Sequence, residues 1–268
     1  PGQVPKVYTN MDQAIAYCRA KGPGWHCMTN AEYAAIALWC KANGYYPRGN
    51  NNYGSDHGYP HEKCRPGTVG SDGRINLGLT GSGPNSWTHD GTPNGIYGLN
   101  GDGWEWAIGL RTNNGEIQIL TGNNAAKNTA DLTAGSAEWK AILPDGTLVA
   151  PGTAGTLKID IVSGVPKIST TVKTTTSGDQ WPSTPFKDLA VESGITIPDI
   201  LKALAVFPSD SSDHGGDRFY ARNDGEKCFF RGGNWNNTSH AGVFCLGGHN
   251  PRSNSGGTVG FRPAYILL

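Results

Sequence analysis

Three groups of side chains in this sequence have types and spacings that could do chemistry. His57, His61 and Cys64, with Cys40 as a fourth ligand, have a spacing that could hold zinc, but the paired Cys-x-x-Cys elements of most loop zinc sites are missing. A histidine-rich loop packed by Tyr59 and Pro60 accounts for the same residues, so no metal is assigned to them. Asp210, Asp213 and Asp217 could bind calcium; their spacing lacks the EF-hand pattern, and a solvated turn explains it as well. The third group is the stretch 235–259, where Asn, Ser, Gly and His dominate. Such residues make adaptable polar contacts when displayed on a surface, as in antibody loops. They also favour turns in any protein, which is the plainer account.

No nucleophile or phosphate motif accompanies these groups: G-x-x-x-x-G-K-[ST], H-E-x-x-H and G-x-S-x-G are all missing. The sequence therefore favours a binding protein over an enzyme, with no cofactor. Its 22 basic residues balance 22 acidic ones, and only 16% of residues are charged, so no footprint for nucleic acid or an anionic membrane follows. The 39 Gly and 17 Pro stand beside eight Trp and ten Tyr, which points to a loop-rich globule pinned by buried rings. No apolar run approaches the ~18–20 residues of a membrane span, so no membrane insertion is expected and the chain is read as soluble. Six cysteines in 268 residues are too dilute for a disulfide scaffold; Cys18 and Cys40 fall on apolar helical faces and read as reduced, buried thiols.

The elements that must position these residues can be partly read. Residues 12–20 have helical periodicity, ended by Lys21-Gly22-Pro23. Thr29-Asn30-Ala31-Glu32 matches a capping box and opens a second helix that runs to Asn43-Gly44. Residues 45–103 read as long loops. Alternating runs at 116–120, 139–143 and 156–162 predict mostly antiparallel strands, and 170–183 is a Thr/Ser-rich connector. A third short helix is expected over 197–207, with Pro198 in its first turn, followed by strands at 219–222, 228–231 and 259–266.

The most specific signal lies in Arg231-Gly232-Gly233-Asn234-Trp235-Asn236, Ala241-Gly242-Val243-Phe244, Arg252-Ser253 and Val259-Gly260-Phe261-Arg262-Pro263-Ala264, with Gly101-Asp102-Gly103-Trp104-Glu105-Trp106 upstream. Together these resemble the C-type-lectin-like fold shared by formylglycine-generating enzymes and the variable proteins of diversity-generating retroelements. The 29–40 helix, Pro47-Arg48-Gly49-Asn50-Asn51 and residues 81–106 extend the resemblance to phage and prophage structural proteins of that fold. The family's segment before its WEW is Gly-Asn-Val, where this chain has Gly101-Asp102-Gly103. The resemblance implies an α+β chain with short N-terminal helices, long loops and a small antiparallel sheet. It divides into 1–112, a β-rich insertion at 113–183, and 184–268 carrying a variable region at 231–262.

Formylglycine-generating enzymes use two cysteines just after the RGG motif to hold copper; the matching positions here are Asn237 and Gly242, which form no thiolate. The calcium-lectin motifs Glu-Pro-Asn and Trp-Asn-Asp are also missing. The resemblance instead implies a non-enzymatic receptor-recognition protein of a phage tail or cell surface, diversified by a retroelement. In such proteins template adenines are mutated, and Asn codons give rise to Ser, His, Gly, Thr, Tyr and Asp. Asn234, Asn236, Asn237, His240, Gly247, His249, Asn250, Asn254 and Thr258 fit such origins and are the expected contact set, for a host-surface protein or glycan. A non-diversified tail protein of the same fold is the alternative. Trp104, Trp106, Gly232, Gly233, Trp235, Gly260, Phe261 and Arg262 are the expected scaffold, with Trp235 and Phe261 as buried anchors and Arg262 paired to Glu105. A homo-oligomer fits the resemblance, related assemblies being often trimeric.

Overall fold

The computed structural model describes all residues but Ser177, Asp179 and Leu268; the first two belong to the 170–183 connector. The first helix, α1 (Met11–Arg19), is opened by a capping box that the sequence reading did not use. Asn10 accepts from the Gln13 backbone, and the Gln13 side chain answers to the Asn10 N–H. After the short strand β1 (Trp25–Cys27), α2 (Asn30–Ala42) starts at the box read from Thr29 and Glu32. Its buried residues Tyr33, Ala34, Ala37 and Cys40 recur at helical spacing and face the core.

Residues 45–103 form long loops held by isolated bridges and one 3-10 turn, with Trp87 and Leu99 buried beneath them. The chain then enters a long strand, β2 (Trp104–Asn113), and continues through β3 (Glu116–Leu120), β4 (Trp139–Ile142), β5 (Leu148–Val149), β6 (Lys158–Val162) and β7 (Val165–Ser169). Next come β8 (Ser183–Pro185), β9 (Ala190–Val191), α3 (Asp199–Ala203) and β10 (Arg218–Ala221). The last strands are β11 (Glu226–Gly232), β12 (Gly242–Asn250), β13 (Val259–Phe261) and β14 (Pro263–Tyr265).

Among the described residues, twelve strands form one mixed, mostly antiparallel sheet with the main path β8-β10-β12-β11-β2-β3-β6-β7-β9, and the fold is α+β with few helices. Two expectations are refined here. The β-rich segment 113–183 is continuous with the rest: Ile117, Ile142, Ile159 and Ile168 share one core with Tyr33 and Ala37 of α2 and with Phe219 and Phe244. Hydrogen bonds carry the sheet through β2 into β3, so the segment extends the sheet. The expected final strand 259–266 is also two strands. β13 runs parallel to β2 in the large sheet, and β14 pairs with β1 in a separate two-stranded sheet.

The third change bears on function. Residues 242–250, of which Gly242–Phe244 read as scaffold, Phe244 and Leu246 as core, and Gly247, His249 and Asn250 as displayed contacts, are the nine-residue strand β12, hydrogen-bonded to β10 on one edge and to β11 on the other. Residues 242–249 are all buried. A strand covered on both faces shows a continuous apolar-and-glycine run in place of alternation, and the sequence reading lacked that signal.

Candidate functional site

The segments that carry the resemblance meet around β2. Gly232 (φ +90°) and Gly233 (φ +81°) turn the chain out of β11 in a conformation that disfavours side chains. A Cβ on Gly233 would lie 2.6 Å from the Ala241 Cβ. β13 then places Val259, Gly260 and Phe261 beside Trp104, Glu105 and Trp106. Gly260 allows this because a Cβ there would sit 2.6 Å from the Lys6 carbonyl oxygen. Arg262 pairs with Glu105 through two bonds of 2.9 and 3.0 Å and donates a third to the Gly98 carbonyl, tying the end of the chain to β2.

Two of the expected anchors are less buried than that reading supposed. Trp235 is half-buried and is fixed mainly through its backbone: its N–H donates to the Asp102 carbonyl, and its carbonyl accepts from the Tyr53 N–H. Phe261 is also half-buried and stacks on Tyr17 at 5.9 Å. Fully buried rings at this place include Trp106, whose indole N–H donates to the Thr9 carbonyl, and Phe230.

Beside Trp104 lies a cleft of about 300 Å³, at the small end of ligand-pocket volumes. Six of the nine expected contact residues line it: Asn234, Asn237, His249, Asn250, Asn254 and Thr258. Its floor is aromatic. The His249 ring lies 4.7 Å from Trp181, 5.0 Å from Phe230, 5.8 Å from Tyr220 and 6.4 Å from Trp104, in edge-to-face arrangements. Among the described residues, no charged side chain lines this cleft.

His249 is only 5% exposed, and among the described residues its Nδ1 has no hydrogen-bond partner. Burial, with Arg222 adding repulsion, pushes its pKa down to about 3, so the imidazole is neutral at physiological pH. A buried nitrogen without a partner carries a desolvation cost, and a ligand donor or an ordered water in the cleft would relieve it.

The nine positions therefore divide. Asn236 is exposed, while Asn237, His240, Asn250, Asn254 and Thr258 are half-exposed. Asn234, Gly247 and His249 are buried. Asn234 organises its loop: its side-chain oxygen accepts from the Asn236 N–H, while its own N–H donates to the Asn237 side chain. Gly247 cannot be a freely varied contact position, because a Cβ there would meet the Phe230 ring at 2.3 Å. His240 and Asn236 lie outside the cleft lining, on the loop whose Thr238 N–H donates to the Asn51 carbonyl. Burial, then repulsion from Arg218 and His57, lowers the His240 pKa.

Trp181 and Tyr220 belong to the cleft and were not foreseen as site residues. The available signal was Trp181 itself, a large ring isolated in a Thr/Ser connector, and it stands 60% exposed over His249. The residues weighed as metal ligands have separate partners. Cys40 donates to the His89 carbonyl, Cys64 to the Gly54 carbonyl, and His57 contacts Asn51. Asp210 holds Lys41, Asp213 offers its carbonyl to Tyr46, and Asp217 accepts from the Phe244 N–H. Among the described residues no group of three or more His, Cys, Asp or Glu could hold a metal ion.

Asn237 occupies a loop, and a Cβ on Gly242 would strike the Asp217 carboxylate at 2.1 Å. Cys245 is fully buried, its thiol pushed far above the usual range by burial. All six cysteines are buried and unpaired. No helix among the described residues is long and apolar enough to cross a membrane. No protein-family model matches the sequence, and no curated protein matches it.

Proposed function

We propose that this chain is a C-type-lectin-like recognition protein that binds its ligand non-covalently in the cleft beside Trp104. The observation that carries this reading is the meeting of Asn234, Asn237, His249, Asn250, Asn254 and Thr258 in one aromatic-floored cleft. The amides of Asn237, Asn250 and Asn254 and the hydroxyl of Thr258 supply both donors and acceptors around a floor that offers flat apolar contact. With no charged side chain in the wall among the described residues and a neutral His249, the cleft favours an uncharged ligand group, such as a sugar ring or an uncharged peptide loop. Support for the fold comes from the pairing of β13 with β2 and from the Gly232-Gly233 turn, which unite the segments that carry the resemblance.

In this proposal the protein is of phage or prophage origin, displayed on a virion tail or cell surface, and a retroelement diversifies Asn236, Asn237, His240, Asn250, Asn254 and Thr258. Asn234, Gly247 and His249 are then fixed parts of the frame. The burial of Gly247 and His249 within the 231–262 stretch favours a second reading, a tail protein of the same fold with a site of fixed specificity. Sequencing the locus separates the two: diversification predicts a nearby reverse transcriptase and a DNA copy of the region differing at adenines. The binding reading is tested by retention on an array of neutral glycans and on a panel of bacterial cells. Wild-type protein retained where N237A and N254A are not supports it, and equal behaviour of all three contradicts it.

A further inference from the structure

On the other side of Trp104 lies a larger cavity of about 420 Å³, walled by the 1–7 segment, the 78–83 loop, Trp87, Tyr97 and the Gly260–Pro263 stretch. We infer that this cavity is a second binding site, separate from the cleft, for a small organic cation with a primary ammonium head and an apolar body. Four charged side chains line it: Lys6, Asp102, Glu105 and Arg262. Glu105 and Arg262 neutralise each other. The Lys6 ammonium lies over the Tyr17 ring, 4.6 Å from its centroid, and forms no ion pair among the described residues.

Asp102 is different. One carboxylate oxygen, Oδ1, accepts from the Asn50 side chain at 2.8 Å and from the Gly78 N–H at 2.7 Å. Among the described residues nothing donates to the other, Oδ2. The carboxylate is held in place by a backbone at φ +67° between Gly101 and Gly103, a conformation that Asp tolerates better than most residues. The wall thus offers one carboxylate oxygen without a donor, Asp102 Oδ2, in a cavity also lined by Trp87, Tyr97 and Trp104. An ammonium matches it twice, by a charge-assisted hydrogen bond to Oδ2 and by attraction to the ring faces. A divalent metal ion fits less well, since it would need several oxygen ligands where the wall offers one free carboxylate.

The titratable groups around Asp102 are the Glu105–Arg262 pair, the Cys64 thiol, pushed up to about 12, and Lys6 along the wall. Burial first, with Glu105 adding repulsion, raises the Asp102 pKa to about 6. Its carboxylate is therefore ionised at pH 7.5 and mostly protonated at pH 5, so cation binding should weaken as the pH falls.

The test is titration of the whole chain with phenethylammonium, and with 2-phenylethanol as its uncharged counterpart, by calorimetry and by the indole NMR signals of Trp87 and Trp181. At pH 7.5 the ammonium should bind at least tenfold more tightly than the alcohol and shift Trp87 but not Trp181. At pH 5 its affinity should fall roughly tenfold, as the ionised fraction does. D102N should remove the preference for the ammonium, and Y97A should weaken both probes. If D102N does not fold, the pH profile and Y97A still decide. Equal affinity for the two probes, an affinity unchanged at pH 5, no binding at millimolar ammonium, or a shift at Trp181 in place of Trp87 would overturn the inference. Because Trp181 lines only the cleft and Trp87 only the cavity, failure here leaves the cleft reading standing.

Discussion

The strand Gly242–Asn250 shares Gly, His and Asn with the loops on either side of it, yet those residues end in opposite environments. Gly247 and His249 are interior because their strand is paired on both edges and roofed by Phe229 and Phe230. Asn236 and Asn254 keep access to solvent because their backbones leave the sheet at the Gly232-Gly233 turn and after Asn250. Composition alone does not separate a recognition loop from a central strand. Edge pairing does, and it sets which positions can change while the frame stays folded.

Substitutions across this divide should differ most at Gly247. Placing Val there drives a Cβ into the Phe230 ring at 2.3 Å inside a paired strand, and a loss of about 3 kcal/mol or more is expected in chemical denaturation. A fold as stable as wild type would erase the distinction drawn between strand and loops.

His249→Ala should cost about 2–4 kcal/mol by opening a void among Trp181, Tyr220 and Phe230. The same histidine has a pH signature. Its pKa drops from an ordinary 6.5 to about 3 on folding, so the unfolded chain takes up the proton first as the pH falls. Its stabilising share is complete above about 6.5 and is lost progressively towards pH 3. Melting of wild type against His249→Phe between pH 7 and 4 should show a steeper acid loss in wild type, and parallel curves would contradict the neutral buried imidazole.

Trp181→Ala removes a ring that is 60% exposed, so its midpoint should move by only a degree or two while retention on the glycan or cell panel falls. An unfolded variant would make Trp181 part of the frame. The smallest effect belongs to Asn236→Ser, expected within about 0.5 kcal/mol of wild type.

What was legible in the sequence was local. The Thr29–Glu32 box opens α2 as read, the alternating run 116–120 is β3, and Arg262 does hold Glu105. These features depend on neighbours a few residues away or on a single strong charge pair. β12 was missed because its Gly-Val-Phe-Cys-Leu-Gly-Gly run has no alternation, and its partners Phe219–Ala221 and Cys228–Gly232 must be brought from elsewhere in the chain. The cleft was half legible: its polar rim was nominated, but its floor needed Trp181 and Tyr220 from segments 50 or more residues away from Asn250 or folded against it only through the sheet. The sharing of one core by 113–183 and α2 was hidden for the same reason, since side-chain contacts across a sheet leave no periodic trace in one chain segment.

The most direct measurement pairs two libraries, one randomising Asn236, Asn237, His240, Asn250, Asn254 and Thr258 together, the other randomising Asn234, Gly247 and His249, each sorted first for protease resistance and then for binding. A first library that stays mostly folded while its binding scatters, beside a second that is mostly digested, is the predicted result. Comparable survival of both libraries would show that the frame and the contact surface have been assigned to the wrong residues.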